Sequence, residues 1–141
     1  MASIFSKIIA RDLPGNLVYE TDSELAFLDI NPSTVGHTLV VPKREVAAFH
    51  ELPEAEAASL AAAVQVVAKG VIRAMDTPHY NLALNNGAPA GQVVFHVHFH
   101  VIPRYEGQPR VRHGAYGPGE AAQVAEKIRE ALQGLGYSTP E

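Results

Sequence analysis

The stretch Phe95-His96-Val97-His98-Phe99-His100-Val101-Ile102 alternates apolar residues with histidines without a break. Successive side chains of a β-strand point to opposite faces, so this spacing predicts a strand, drawn here from Val93 to Ile102, with His96, His98 and His100 on one face. Phe95, Val97, Phe99 and Val101 then share the other face. Such an apolar face needs a covering layer, which places the strand in a sheet backed by helices. On the opposite face, neighbouring imidazoles start about 6.5–7 Å apart at Cα, close enough to converge on one phosphate or one metal ion.

The segments around this strand supply the rest of the sheet. Leu17–Glu20 and Leu25–Ile30 read as strands joined through Thr21-Asp22-Ser23, and His37–Val41 reads as a third, ended by Pro42. Tyr80–Leu84 forms another, separated from the histidine strand by Asn85-Asn86-Gly87-Ala88-Pro89-Ala90-Gly91. Residues 4–10 suit a short helical turn before the breaker cluster Leu13-Pro14-Gly15-Asn16. The Ala- and Glu-rich run from Pro53 to about Met75 is the longest helix, and Gly70 within it marks either fraying or a close packing contact. A last helix spans about Glu120 to Gln133 and is closed by Gly134. The expected fold is α+β, a five-stranded, mostly antiparallel sheet with one long and one C-terminal helix on one side.

With 141 residues and no repeat or internal linker, the chain is expected to form one domain. Its core runs over residues 4–105, and residues 106–141 add a mobile loop and the C-terminal helix of the same unit. There is no cysteine, so neither a disulfide nor a thiol nucleophile is available, and histidine has to carry such chemistry. A net charge of −4 gives no general attraction to nucleic acid or to an anionic membrane, while leaving a small nucleotide free to bind through local donors. The N-terminal residues lack the pattern of a targeting peptide, and no run is read as approaching the roughly 18 apolar residues of a membrane span. A cytoplasmic protein is expected.

Two chemistries fit the histidine face. In one, a neutral His98 attacks an electrophilic phosphorus through one ring nitrogen while the other donates to a carbonyl, and its neighbours position the phosphate. One protonated ring disfavours protonation of a second at this range, which keeps neutral imidazole available near pH 7. In the other, two of the alternating histidines bind zinc and the third supplies a ligand or a base.

The motif His96-Val97-His98-Phe99-His100-Val101-Ile102 resembles that of the histidine triad family. Further stretches match in order: Ile4–Ile9, Ala26–Pro32, Gly36–Pro42, Asn85-Asn86-Gly87 and Gly91-Gln92. The resemblance covers residues 4 to about 105. It implies a homodimeric enzyme, without cofactor, that cleaves a purine nucleotide at its α-phosphate through a nucleotidyl intermediate on His98 and releases the nucleoside monophosphate. Phosphoramidates, acyl nucleotides and dinucleoside polyphosphates are the implied substrates. His96 and His100 would position the phosphate and leaving group, with His37 as a supporting fourth histidine. Asp29 would accept the ribose hydroxyls, Phe5, Ile8, Phe27, Leu28 and Ile30 would form the base pocket, and Asn85, Gly91 and Gln92 would lie on the phosphate side.

The sequence departs from the family pattern twice. Val93 stands where family members often carry Ser or Thr, which leaves no hydroxyl to assist the departing group; a nucleotide-binding regulatory module with vestigial catalysis is the alternative this raises. Ser3 and Ser6 stand where some bacterial members have a zinc-binding Cys-x-x-Cys pair, so no such zinc is expected. His50, His79 and His113 fall outside the motif and read as surface or cap residues. Lys43-Arg44 reads as a solvated pair, and Arg104 as a residue near the substrate tail.

Overall fold

The computed structural model describes residues 2–108 and 114–140. Five strands, β1 (Leu17–Glu20), β2 (Glu24–Leu28), β3 (Thr38–Pro42), β4 (His79–Ala83) and β5 (Phe99–Arg104), form one sheet in the order β1-β2-β3-β5-β4. Every neighbouring pair is antiparallel. The helices are α1 (Ile4–Ile9), α2 (Glu54–Ala74) and α3 (Glu120–Gly134). The architecture is the expected α+β sheet. Of the loop read over 106–119, residues 109–113, with His113, lie outside the described residues.

The sheet is covered on both faces, which is why β2 and β3 are buried at every position. One face carries Val18, Ala26, Leu28, Val40 and Val101, packed with Leu60, Val64 and Val67 of α2 and Ile128 and Leu132 of α3. The other carries Leu25, Phe27, Leu39 and Val41 against Phe5 and Ile8 of α1. Each such large apolar side chain contributes roughly 1.5–3 kcal/mol when fully withdrawn from water. Helix α2 is long and apolar enough to cross a membrane by length and composition alone, against the sequence reading. Here one side of it is the inner wall of the core, with Leu60, Val67 and Val71 fully buried. Gly70 faces α3, where an added Cβ would stand 2.6 Å from Leu132 Cγ, so close packing and not fraying explains it.

The histidine strand differs from its expected bounds. β5 begins only at Phe99 and runs on to Arg104, and residues 93–98 leave the ladder. That segment is held by other bonds: Val97 N–H donates to Val46 O and the His96 ring to Pro42 O. Phe95, expected in the core, is 54% exposed, because the segment before Phe99 has left the ladder and Val97, not Phe95, reaches the core under the helices. Pro103 is tolerated within β5 because β3 pairing ends at Val101, so no partner strand faces its missing donor. β2 stops at Leu28 instead of Ile30, since the Asp29 carboxylate turns back to accept from Asn31 N–H at 2.9 Å.

Candidate active site

Helix α1 and the loops after it, the end of β2, and the strand of the histidine motif enclose a cleft of about 380 Å³. Phe5, Ile8, Leu13, Phe27 and Leu39 make its apolar interior, and His98 and His100 stand on its wall. Asp29, Asn31 and Ile30 border it after β2, and Val93 and Val94 before the histidines. Leu39 is the register partner of His100 in the β3–β5 ladder, which puts the imidazole on the α1 face of the sheet.

Donor and acceptor identities settle the tautomer of each ring. His98 Nδ1 lies 2.7 Å from His96 O, and a carbonyl only accepts, so Nδ1 carries the proton and Nε2 keeps its lone pair. Phe5 packs edge-on against this ring with centroids 5.0 Å apart, which fixes its plane. At the next station, Ser33 N–H donates to His37 Nδ1 at 2.9 Å, so the proton of His37 sits on Nε2. That proton is donated to His100 Nδ1 at 2.9 Å, which leaves His100 with Nε2–H. The two histidines of the cleft wall are therefore complementary, one a bare nitrogen and the other a donor. Burial, then the proximity of His98, pushes the His100 imidazole down to about 4, so it is neutral at pH 7.

His96 ends elsewhere. Its ring is fully buried, donates from Nε2 to Pro42 O at 2.7 Å, and accepts at Nδ1 from Ser3 Oγ at 2.7 Å. It does not line the cleft, contrary to the role of phosphate ligand; it holds the carbonyl that orients His98. Burial, the largest influence, lowers its pKa. Ser3 in turn caps α1 by accepting from Ser6 N–H, and Glu45 accepts from Ser3 N–H at 2.6 Å and from Ser6 Oγ at 2.5 Å. These bonds, the Ser3 amide first, draw the Glu45 carboxyl down to about 2. Two hydroxyls, one imidazole nitrogen and one carboxylate do not fit the thiolate and imidazole set of a structural zinc site.

Asp29, His37 and His100 have ligand-type atoms within 4.8 Å of one another, the arrangement that a metal site would require. The His37–His100 separation of 2.9 Å is that of a hydrogen bond, shorter than the roughly 3.3 Å between neighbouring ligands of tetrahedral zinc. A metal on His37 Nε2 would also need the proton moved to Nδ1, where Ser33 N–H already donates. Asp29 Oδ2 stands 3.6 Å from His37 Nε2, beside this chain of donors.

Among the residues read from sequence, Phe5, Ile8, Phe27, Leu28, Asp29, Ile30, His98 and His100 meet at the cleft, and His37 supports it from behind. Gln92 does not reach it. Its amide donates to Ala47 O and Val94 O and its carbonyl accepts from Gly87 N–H, because a carboxamide 3% exposed has to satisfy itself within the loop. Asn85 and Gly91 stand against each other in the same loop, and neither lines the cleft. Arg104 donates to Asn81 across β4 and β5, away from the cleft. Lys43 pairs with Glu20 and Arg44 with Glu56, while His79 lies 3.4 Å from Glu106 and His50 is exposed.

Sequence reasoning missed Ile4, Leu13, Pro14, Gly15, Asn31, Leu39 and Val94 as cleft residues, and Ser33 as the group that sets the His37 tautomer. Leu13-Pro14 carried only a turn signal, which does not say what a turn packs against.

Comparison with known proteins agrees with this fold. The HIT domain family model matches residues 10–107. The chain belongs to the histidine triad family. An uncharacterised HIT-like protein of Methanocaldococcus jannaschii is 48% identical over 108 residues, which is 77% of this chain and 83% of that protein. Adenosine 5'-monophosphoramidase hnt1 of Schizosaccharomyces pombe is 44% identical over 104 residues, 74% of this chain and 75% of the relative. The crystal structure of a hypothetical histidine triad nucleotide-binding protein of Sulfolobus tokodaii superposes with a TM-score of 0.88 at 34% identity, covering 95% of this chain and 97% of that one. In this histidine triad protein the family motif thus divides into two residues at the cleft and one behind it.

Proposed function

We propose that the protein is a nucleotide hydrolase that cleaves purine nucleotide derivatives at the α-phosphate through a nucleotidyl intermediate on His98. The observation that carries this reading is the hydrogen bond from His98 Nδ1–H to His96 O, which leaves Nε2 as a bare nucleophile on the wall of a nucleotide-sized cleft. His98 Nε2 attacks the α-phosphorus, the bond to the leaving group breaks, and water then cleaves the P–N bond to give the nucleoside monophosphate. Neutral His100 presents Nε2–H to a phosphoryl oxygen as a hydrogen-bond donor. Asp29 has the carboxylate needed to accept ribose hydroxyls, and the apolar interior suits a purine base. The name of the fission yeast relative supports a phosphoramidate as substrate.

The test is AMP release from adenosine 5'-phosphoramidate, an acyl adenylate and a diadenosine polyphosphate, with rapid quench to trap labelled protein. Turnover that disappears in His98→Ala, with a mass increase of one nucleotidyl group in the wild type, is expected. Release of no AMP from any of the three, or full turnover by His98→Ala, would sink the reading. Tight AMP binding with turnover no faster than His98→Ala would instead favour a regulatory nucleotide-binding module.

A homodimer is part of the proposal. Among the described strands β4 is the last of the sheet, with Tyr80 40% and Leu82 50% exposed on the helical face, so a second copy laid along it would cover an apolar strip at the sheet's edge. Sedimentation that gives a monomer at micromolar concentration would contradict this.

A further inference from the structure

We propose that Tyr105 and Tyr116 are positioning residues that grip the two ends of a single peptide bond, Val35–Gly36, and thereby keep His37 Nε2–H aimed at His100. Tyr105 Oη donates to Val35 O at 2.5 Å, and Gly36 N–H donates to Tyr116 Oη at 3.1 Å. Those two backbone atoms belong to one peptide plane. The plane lies at the centre of a turn closed by His37 N–H donating to Thr34 O at 3.1 Å. Such a turn has two forms that differ mainly by a flip of the central peptide, and Gly36 at φ +98° identifies the type II form. In the type I form both bonds to tyrosine would be lost.

The flip matters because the turn sets the histidine chain. His37 directly follows Gly36, and its Nδ1 receives Ser33 N–H from just before the turn. With the central peptide released, the turn that holds Ser33 N–H against His37 Nδ1 loosens, and the bond that reserves the His37 proton for Nε2 weakens. The rest of the turn is anchored independently: Thr34 Oγ1 donates to Pro103 O at 2.6 Å, and Gly36 packs under Met75, where an added Cβ would stand 2.7 Å from Cγ. The central peptide is the movable part, and the tyrosines hold it. Burial raises the Tyr105 phenol to about 12, so it remains the donor that Val35 O requires throughout the neutral range.

The consequence for catalysis rests on the proposed hydrolase reading, but the positioning itself does not. Tyr105→Phe and Tyr116→Phe, each made singly, are compared with wild type by histidine side-chain 15N spectra of the ligand-free protein and by turnover of adenosine 5'-phosphoramidate. His37 is expected to give one Nε2–H tautomer in the wild type and a mixture in each variant. A kcat fall of about tenfold is expected with KM changed less than about twofold, and no further fall in a His37→Gln background. A single unchanged tautomer in both variants, or an equal fall in the His37→Gln background, would overturn the proposal. If wild type turns over no substrate the hydrolase reading fails, and the spectra still decide the role of the tyrosines.

Discussion

Burial and the neighbouring His98 hold the His100 imidazole at about 4, while His96 is lowered mainly by burial and ends as a brace with both nitrogens engaged. Residues alike in sequence thus become a bare nitrogen, a neutral donor and a scaffold because each meets a different partner. Val93 shows the same dependence on setting. It is 82% exposed, on the cleft that holds His98 and His100, and it has no hydroxyl to offer. Val93→Ser adds a donor there. We expect it to raise kcat for amine leaving groups about fivefold, the value of one ordinary hydrogen bond, and to leave AMP affinity by calorimetry unchanged. An unchanged or lower kcat would show that the side chain at 93 does not reach the departing group.

Among the elements, α1 and α2 illustrate opposite uses of small side chains. Ser3 caps α1 and also donates to His96, so the wall of the cleft and the brace behind the nucleophile share one hydroxyl. Gly70 lets α2 approach α3. An alanine there gains up to about 1 kcal/mol in helix propensity, but it drives Cβ into Leu132, which is fully buried, and overpacking of this kind costs roughly 1–3 kcal/mol. Gly70→Ala is therefore expected to lower stability by about 1 kcal/mol, read as a fall of several degrees in Tm. A rise in Tm would mean that the helices separate freely.

For the molecule as a whole, the buried histidines make stability depend on pH. Their folded pKa values lie below the ordinary 6.5, so between about 4 and 6.5 the unfolded chain binds more protons than the folded one. Their stabilising contribution is complete above pH 6.5 and declines as pH falls toward 4. Thermal melts from pH 7.5 to 5 should show a falling Tm, with a shallower slope in His100→Gln, and equal slopes would remove His100 from the account. This range lies above the ordinary carboxyl titration, so the histidines are seen separately from Glu20, Glu45 and Glu56, whose pKa values are lowered.

How much of this was legible in the chain follows from how local each signal is. Alternation, breakers and helix formers act over a few residues, and they were enough for the strands, the long helices and the histidine motif, whereas the grouping of Asp29 and the apolar residues of α1 and β2 with His98 and His100 came from the family resemblance and not from any local pattern. Three things required the folded molecule. The departure of His96 from the reactive face depends on Pro42 and Ser3, distant in sequence. The inward turn of Gln92 depends on Ala47 O, and the tautomer of His100 depends on Ser33 through His37. Period two states which face a side chain leaves from. It does not say which donor or acceptor waits there, and for an imidazole that partner decides which nitrogen is free to react.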